Sequence, residues 1–151
     1  MNFFHLFSVF LLALFLTSCS TTADTKKIDL REFSNDDEQY ALTETREFTA
    51  QFCKSLKDGN FLHWQQVIPL NTQKKVTPEI FARMRKELID NFGTLENFDF
   101  LGTLRKDTLL DYLWKLQFVK DGKKRDVIFL VRVFCENQRK PEISGFGIKR
   151  F

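Results

Sequence analysis

No apolar stretch of this 151-residue chain is long enough to stay in a bilayer. The longest, Phe3 to Leu16, is interrupted by His5 and Ser8 and ends at the polar pair Thr17-Ser18, short of the roughly 20 residues a spanning helix needs. That length suits the core of an export signal instead, although Met1 to His5 hold neither Lys nor Arg, where such signals usually carry one. Histidine is nearly absent as well: past the signal there is only His63, next to Trp64, and no spacing around it makes a metal ligand set, so it reads as a surface or packing residue. A Gly-rich phosphate loop, a nucleophile elbow and a paired-cysteine metal motif are all missing, so no cofactor is implied. With six glycines, three prolines and no internal repeat, low-complexity arrays are excluded. Charge of one sign is lacking too. The 23 basic and 20 acidic side chains are interspersed, which leaves neither a nucleic-acid stripe nor a polybasic membrane patch.

What is present begins with Leu16-Thr17-Ser18-Cys19. An aliphatic residue, two small ones and a cysteine after an apolar core resemble the lipobox of bacterial lipoproteins. The resemblance implies that residues 1–18 are removed and that Cys19, bearing diacylglycerol, becomes the first mature residue. Each buried methylene contributes about 0.8 kcal/mol, so two or three acyl chains hold a soluble domain on a bilayer. In a Gram-negative source Ser20, rather than Asp, resembles lipoproteins forwarded to the outer membrane, where the domain would face the periplasm.

Cleavage leaves 133 residues, enough for one domain. Residues 19–40 are polar and read as a flexible tether, with Leu30 and Phe33 the apolar residues able to dock. Residues 41–151 read as a single α+β domain. Ala41, Phe48, Phe52 and Leu56 share one helical face ended by Asp58-Gly59-Asn60, and Phe61, Trp64, Val67 and Ile68 suggest a short second helix. Thr77, Pro78 and Glu79 open a third, which Gly93 stops.

Past Gly93 the period becomes two. A strand is expected around Asn97 to Leu104, a hairpin about Asp121-Gly122, and a last strand from Glu142 to Lys149 with a bend or bulge at Gly145 and Gly147. If Asp121-Gly122 form a type I′ turn, facing residues have numbers that sum to 243. Tyr112 then meets Val131 and Trp114 meets Phe129 on one face, while Asp111 meets Arg132 and Leu113 meets Leu130 on the other. Both faces are chemically coherent, which a one-residue slip would spoil.

These elements resemble the nuclear-transport-factor-2-like, or cystatin-like, superfamily, particularly its small exported lipoproteins. The resemblance rests on Phe48-Thr49-Ala50-Gln51-Phe52, Asp58-Gly59-Asn60-Phe61, the Trp64 helix, Phe92-Gly93 and Ile143-Ser144-Gly145-Phe146. It implies helices packed on a curved antiparallel sheet that forms a cone, often with a pocket at its open end and often dimers through the sheet.

Two function classes follow. One is a non-catalytic envelope lipoprotein that binds a protein or a small apolar ligand; the alternative is a small-pocket enzyme of the isomerase or dehydratase kind. His63, Trp64, Tyr112 and Trp114 are the pocket candidates. A carboxylate of raised pKa beside Tyr112 would favour the enzyme, and a face filled by phenylalanines the binding or structural role. On the other sheet face Leu113, Ile128, Leu130 and Phe134 form an apolar patch suited to a homodimer or an envelope protein. Cys53 edges the first helix's apolar face and Cys135 continues the inward series of the third strand. They are therefore a candidate disulfide, or two small thiols packed as apolar residues.

Overall fold

The computed structural model describes residues 30–106 and 108–149. Helix α1 spans Asn35–Asp58, α2 Leu62–Gln65, α3 Leu70–Gln73 and α4 Pro78–Phe92; strands β1 Thr94–Lys106, β2 Leu109–Lys120, β3 Lys123–Phe134 and β4 Glu142–Lys149 follow. The fold is α+β: helices first, then a four-stranded antiparallel meander, β1-β2-β3-β4, in a curved, unclosed sheet.

Local chemistry explains the boundaries. Ser34 caps α1 in a reciprocal box, its hydroxyl accepting from the Asp37 amide while the Asp37 carboxylate accepts from the Ser34 amide. Asp36, Asp37 and Glu38 sit at the positive end of the helix dipole, and Gly59 closes the helix at φ 69°. Thr77 caps α4, with Pro78 in its first turn. Gly93 follows α4 at φ 91°, and a Cβ there would lie 2.0 Å from the Val119 carbonyl oxygen, so only glycine lets the chain turn against β2.

The hairpin has the expected register. Asp121 and Gly122 both take positive φ, 53° and 70°, as a type I′ turn requires. Asp111 pairs with Arg132, Tyr112 with Val131, Leu113 with Leu130 and Trp114 with Phe129. β1 begins earlier than expected and is bulged at Glu96 and Leu101; β4 matches its expected span, with its bulge at Ser144.

All the large inward side chains meet α1 or the elements around it. Phe52 stacks on Phe129 at 4.5 Å, and Trp64 sits 4.7 Å from Phe52 and 4.8 Å from Phe146. α1 runs antiparallel to β1: Glu38 at its start pairs with Arg105, while Lys57 at its end donates to the Glu96 carbonyl at 2.8 Å. Ser55 accepts from the Trp64 amide and so ties α1 to α2.

The folded part begins before the expected boundary at residue 41. Leu30 bridges Glu136, the Arg31 amide donates to the Cys135 carbonyl at 3.0 Å, and Phe33 is buried. The Arg31 guanidinium forks onto Asp37 at 2.6 and 2.9 Å. Residues 30–34 are thus a strap fastened across the end of the sheet, and α1 starts six residues earlier than its apolar period suggests.

Hydrogen bonds from Arg31, and then from Ser34, hold the Asp37 carboxyl well below the usual carboxylate range, against the opposing effect of burial. A depressed pKa adds stability that is complete above the unfolded value near 4 and is lost as pH falls through the folded one. Asp37→Ala should therefore cost about 1 to 2 kcal/mol at pH 7. In urea titrations the gap between wild type and variant should stay constant down to about pH 4 and shrink below it; a gap that persists unchanged at pH 2 contradicts this account.

Candidate functional site

The inner face of the sheet is the first place to look for chemistry. Its rows run Thr103, Tyr112, Val131, Phe146 and then Phe100, Trp114, Phe129, Ile148. Tyr112 and Trp114 do point inward, and both are sealed, at 2% and 1% exposure. The Tyr112 hydroxyl donates to the Glu38 carbonyl at 3.0 Å, and burial pushes its pKa up to about 12. It is a protonated anchor for α1. Phe100 and Phe98 lie 5.1 and 6.0 Å from the Trp114 ring.

Trp64 is also fully buried, across the core among Phe48, Phe52, Phe61, Phe81 and Phe146. The indole N–H groups of Trp64 and Trp114 have no hydrogen-bond partner. His63 turns away from both, with Nε2 3.5 Å from Asp58 at the end of α1. The four pocket candidates therefore do not converge. Tyr112 and Trp114 are neighbours on one face, Trp64 belongs to the helix layer, and His63 is at the rim.

The perturbed carboxylates point the same way. Asp37 and Glu79 are both lowered, Glu79 through hydrogen bonds from Thr77 and its own backbone, and neither lies beside Tyr112 in the inner rows. Asp111 faces outward and takes a forked bond from Arg132 at 2.6 and 2.8 Å. Among the described residues no group of three or more His, Cys, Asp or Glu is placed to hold a metal.

A crevice of about 130 Å³ lies between the ends of α1 and α4 and the start of β1, floored by Leu56, Leu88, Leu95 and Phe118 and rimmed by Lys57 and Arg85. It is close to the roughly 150 Å³ that takes up one benzene-sized molecule. Sequence reasoning missed it because it depends on how two helix ends meet. Arg85 is held there through Nε, which donates to the Leu56 carbonyl at 2.7 Å.

The outer face is different in kind. Helices α1, α2 and α4 all pack inward, so Leu113, Ile128, Leu130 and Phe134 lie together on the side those helices leave bare, as expected from the alternation. Leu130 is 7% exposed because its sheet neighbours enclose it, and the other three are half-buried. Leu104, 57% exposed, belongs to the same face through its pairing with Asp111.

Cys19 lies outside the described residues. The Cys53–Cys135 bridge is not formed: both thiols are buried and free. The reason is the direction of α1. Cys135 lies beside Arg31 and Asp37 at the first turn of the helix, whereas Cys53 is sixteen residues further on, about 24 Å away by helix rise. A disulfide needs Cα atoms within about 7 Å. Burial pushes the Cys53 thiol up to about 12 and raises that of Cys135, which disfavours the nucleophilic thiolate at both. An aromatic disulfide reagent at pH 8 should titrate neither thiol in the folded protein and both in unreduced denaturant. Failure to titrate them after unfolding would restore the bridge.

No protein-family model and no curated protein matches the sequence. Among solved structures the chain is similar to that of Bdellovibrio bacteriovorus Bd1075, at 7% identity and a TM-score of 0.44, over 79% of this chain and 45% of that one. It thus spans less than half the length of that protein.

Proposed function

We propose that this chain is a bacterial lipoprotein, cut before Cys19 and held by lipid on the outer side of a membrane. Its domain is of the nuclear-transport-factor-2-like kind and serves as a non-catalytic binding or structural module. The observation that carries the second half of this reading is the inner face. Where enzymes of that superfamily keep acids, tyrosines or histidines, Phe48, Phe52, Phe129 and Phe146 fill the space, and Tyr112 is locked to the Glu38 carbonyl. A buried set of phenylalanine rings stacked on one another packs a core and leaves no room for a substrate on that face.

The first half is supported by Leu16-Thr17-Ser18-Cys19 after an apolar core. The strap adds a dimension. Because the fold already begins at Leu30, eleven residues after Cys19, a fully extended tether reaches only about 40 Å. The domain would ride close to the bilayer.

Cys19→Ala tests this reading. Expressed in a bacterial host fed radiolabelled palmitate, the wild type should incorporate label, migrate as the shortened form and pellet with membranes. The variant should take up no label and accumulate uncut. Equal processing and equal membrane partition of the two would refute the anchor.

A further inference from the structure

We propose that the rim of β1 from Phe100 to Lys106 rests on the bilayer that holds the lipid, so that the domain stands edge-down on the membrane; this rests on the lipid-anchor reading. Five large apolar side chains are exposed among the described residues. Three of them, Phe100, Leu101 and Leu104, at 38, 50 and 57%, crowd into five positions of this one strand. Singly exposed leucines are ordinary, whereas a run of apolar side chains on one edge marks a contact.

β1 is an outer strand of the sheet, so its free edge bares backbone groups that invite a further strand. Bulges at Glu96 and Leu101 break that edge, and no continuous ladder can form along it. What remains for a partner to meet is side chains. Leu104 belongs to the outer face through its pairing with Asp111, and Phe100 to the inner row beside Trp114, so the apolar rim straddles both faces and fits a surface met edge-on. Arg105 and Lys106 follow it, both exposed. Arg105 is engaged by Glu38, whereas Lys106 can lay its aliphatic stem along the surface and reach a lipid phosphate. Among the described side chains Asp99 and Asp111, which flank the rim, are paired with Lys115 and Arg132, so neither opposes an anionic surface as a lone charge.

The contact is shallow by necessity. Free-edge N–H and C=O groups cannot enter hydrocarbon without partners, so only the leucine and phenylalanine side chains pass the headgroups, to the ~5–10 Å depth at which interfacial elements sit.

The tether selects this rim over the other exposed leucines. Leu30 joins the sheet beside Glu136, just past the end of β3, and Lys106 lies in the end row with Leu109 and Phe134. The near end of the rim is therefore two strand spacings, roughly 10 Å, from the point where the tether enters. The hairpin at Asp121-Gly122 is the full 12 residues of β3 away, about 40 Å, which equals the whole extended reach of the tether. Leu62 and Leu70 lie beyond the end of α1 at Asp58, and α1 starts beside the strap.

The test uses the processed, lipidated full chain in vesicles of phosphatidylcholine with phosphatidylglycerol. Leu104→Cys and Glu142→Cys each take an environment-sensitive nitrobenzoxadiazole label, while Cys53 and Cys135 stay buried and Cys19 is blocked by lipid. Glu142 is the control because it lies in the same end row, at least as close to the tether, but on the opposite edge strand, three spacings or about 14 Å from β1. The label at 104 should emit blue-shifted light and be quenched by nitroxide lipids about threefold more strongly than the label at 142. Leu101→Ser combined with Leu104→Ser, both at exposed positions outside the core, should bring the quenching of a Lys106→Cys label down to the level at 142. Vesicle-held protein whose labels at 104 and 142 are equally water-like overturns the edge contact and leaves the anchor standing. A blue-shifted label at 104 that nitroxide lipids leave bright reports a protein neighbour and overturns the lipid assignment. A chain that carries no lipid and fails to float with the vesicles overturns the anchor, and the edge contact with it.

Discussion

The pairing of β2 with β3 decides which way every other side chain of the sheet looks. Asp121 and Gly122 set it by taking positive φ at both central positions of the turn, and because side chains alternate with period two, a slip of one residue would exchange the two faces of the slipped strand. Were β3 to slip, Phe129 would meet water and Arg132 would be driven into the aromatic core, while Trp114 and Asp111 stayed as they are. Both ledgers forbid it. Burying an unpaired charge costs several kcal/mol, and exposing an aromatic forfeits roughly 1.5 to 3. The register is therefore held by a local turn and by two long-range chemistries that agree with it.

With the register settled, the helix layer has one surface to cover, and α1 covers it along its length. Ala41, Phe48, Phe52 and Leu56 supply the apolar stripe, while Thr45 and Thr49 direct their hydroxyls to carbonyls of their own helix and so bury no unmet donor. The two ends are fastened to β1 by opposite devices, Glu38 to Arg105 and Lys57 to the Glu96 carbonyl. Trp64 then closes the side of the core toward β4. Phe48, Phe52, Phe129, Phe146 and Trp64 form one connected set of tilted and stacked rings, and such pairs add about 0.5 to 1.5 kcal/mol each beyond their buried area.

Most of this architecture could be read from the sequence because its signals are short-range. The Thr77-Pro78 start, the Gly93 stop and the Asp121-Gly122 turn each act within four residues, and the face assignments of Tyr112, Trp114, Leu113 and Leu130 follow from alternation alone. What escaped reading depends on the direction of one element across another. Helical period says which face of α1 is buried; it does not say which end of the sheet that helix starts from, and the Cys53–Cys135 pairing failed for that reason. The strap escaped because Leu30 and Phe33 are isolated apolar residues in a polar stretch, held by the fork of Arg31 on Asp37 across six positions. The candidate pocket residues scattered because Trp64, Tyr112 and Trp114 were chosen by type, and type does not separate lining from filling.

The two faces of the sheet answer opposite demands with the same alternation. Inward positions carry rings and branched chains that pack on one another and on α1. Outward positions carry Leu109, Leu113, Ile128, Leu130 and Phe134 beside the ion pairs Asp111–Arg132 and Asp99–Lys115. Glycine on the edge strands, at 102, 145 and 147, keeps that surface low at both sides of the sheet. β1 does hold its exposed edge against further strands, through bulges at Glu96 and Leu101. The edge of β1 is thus protected, while the outer face is left uncovered by the helices of this chain.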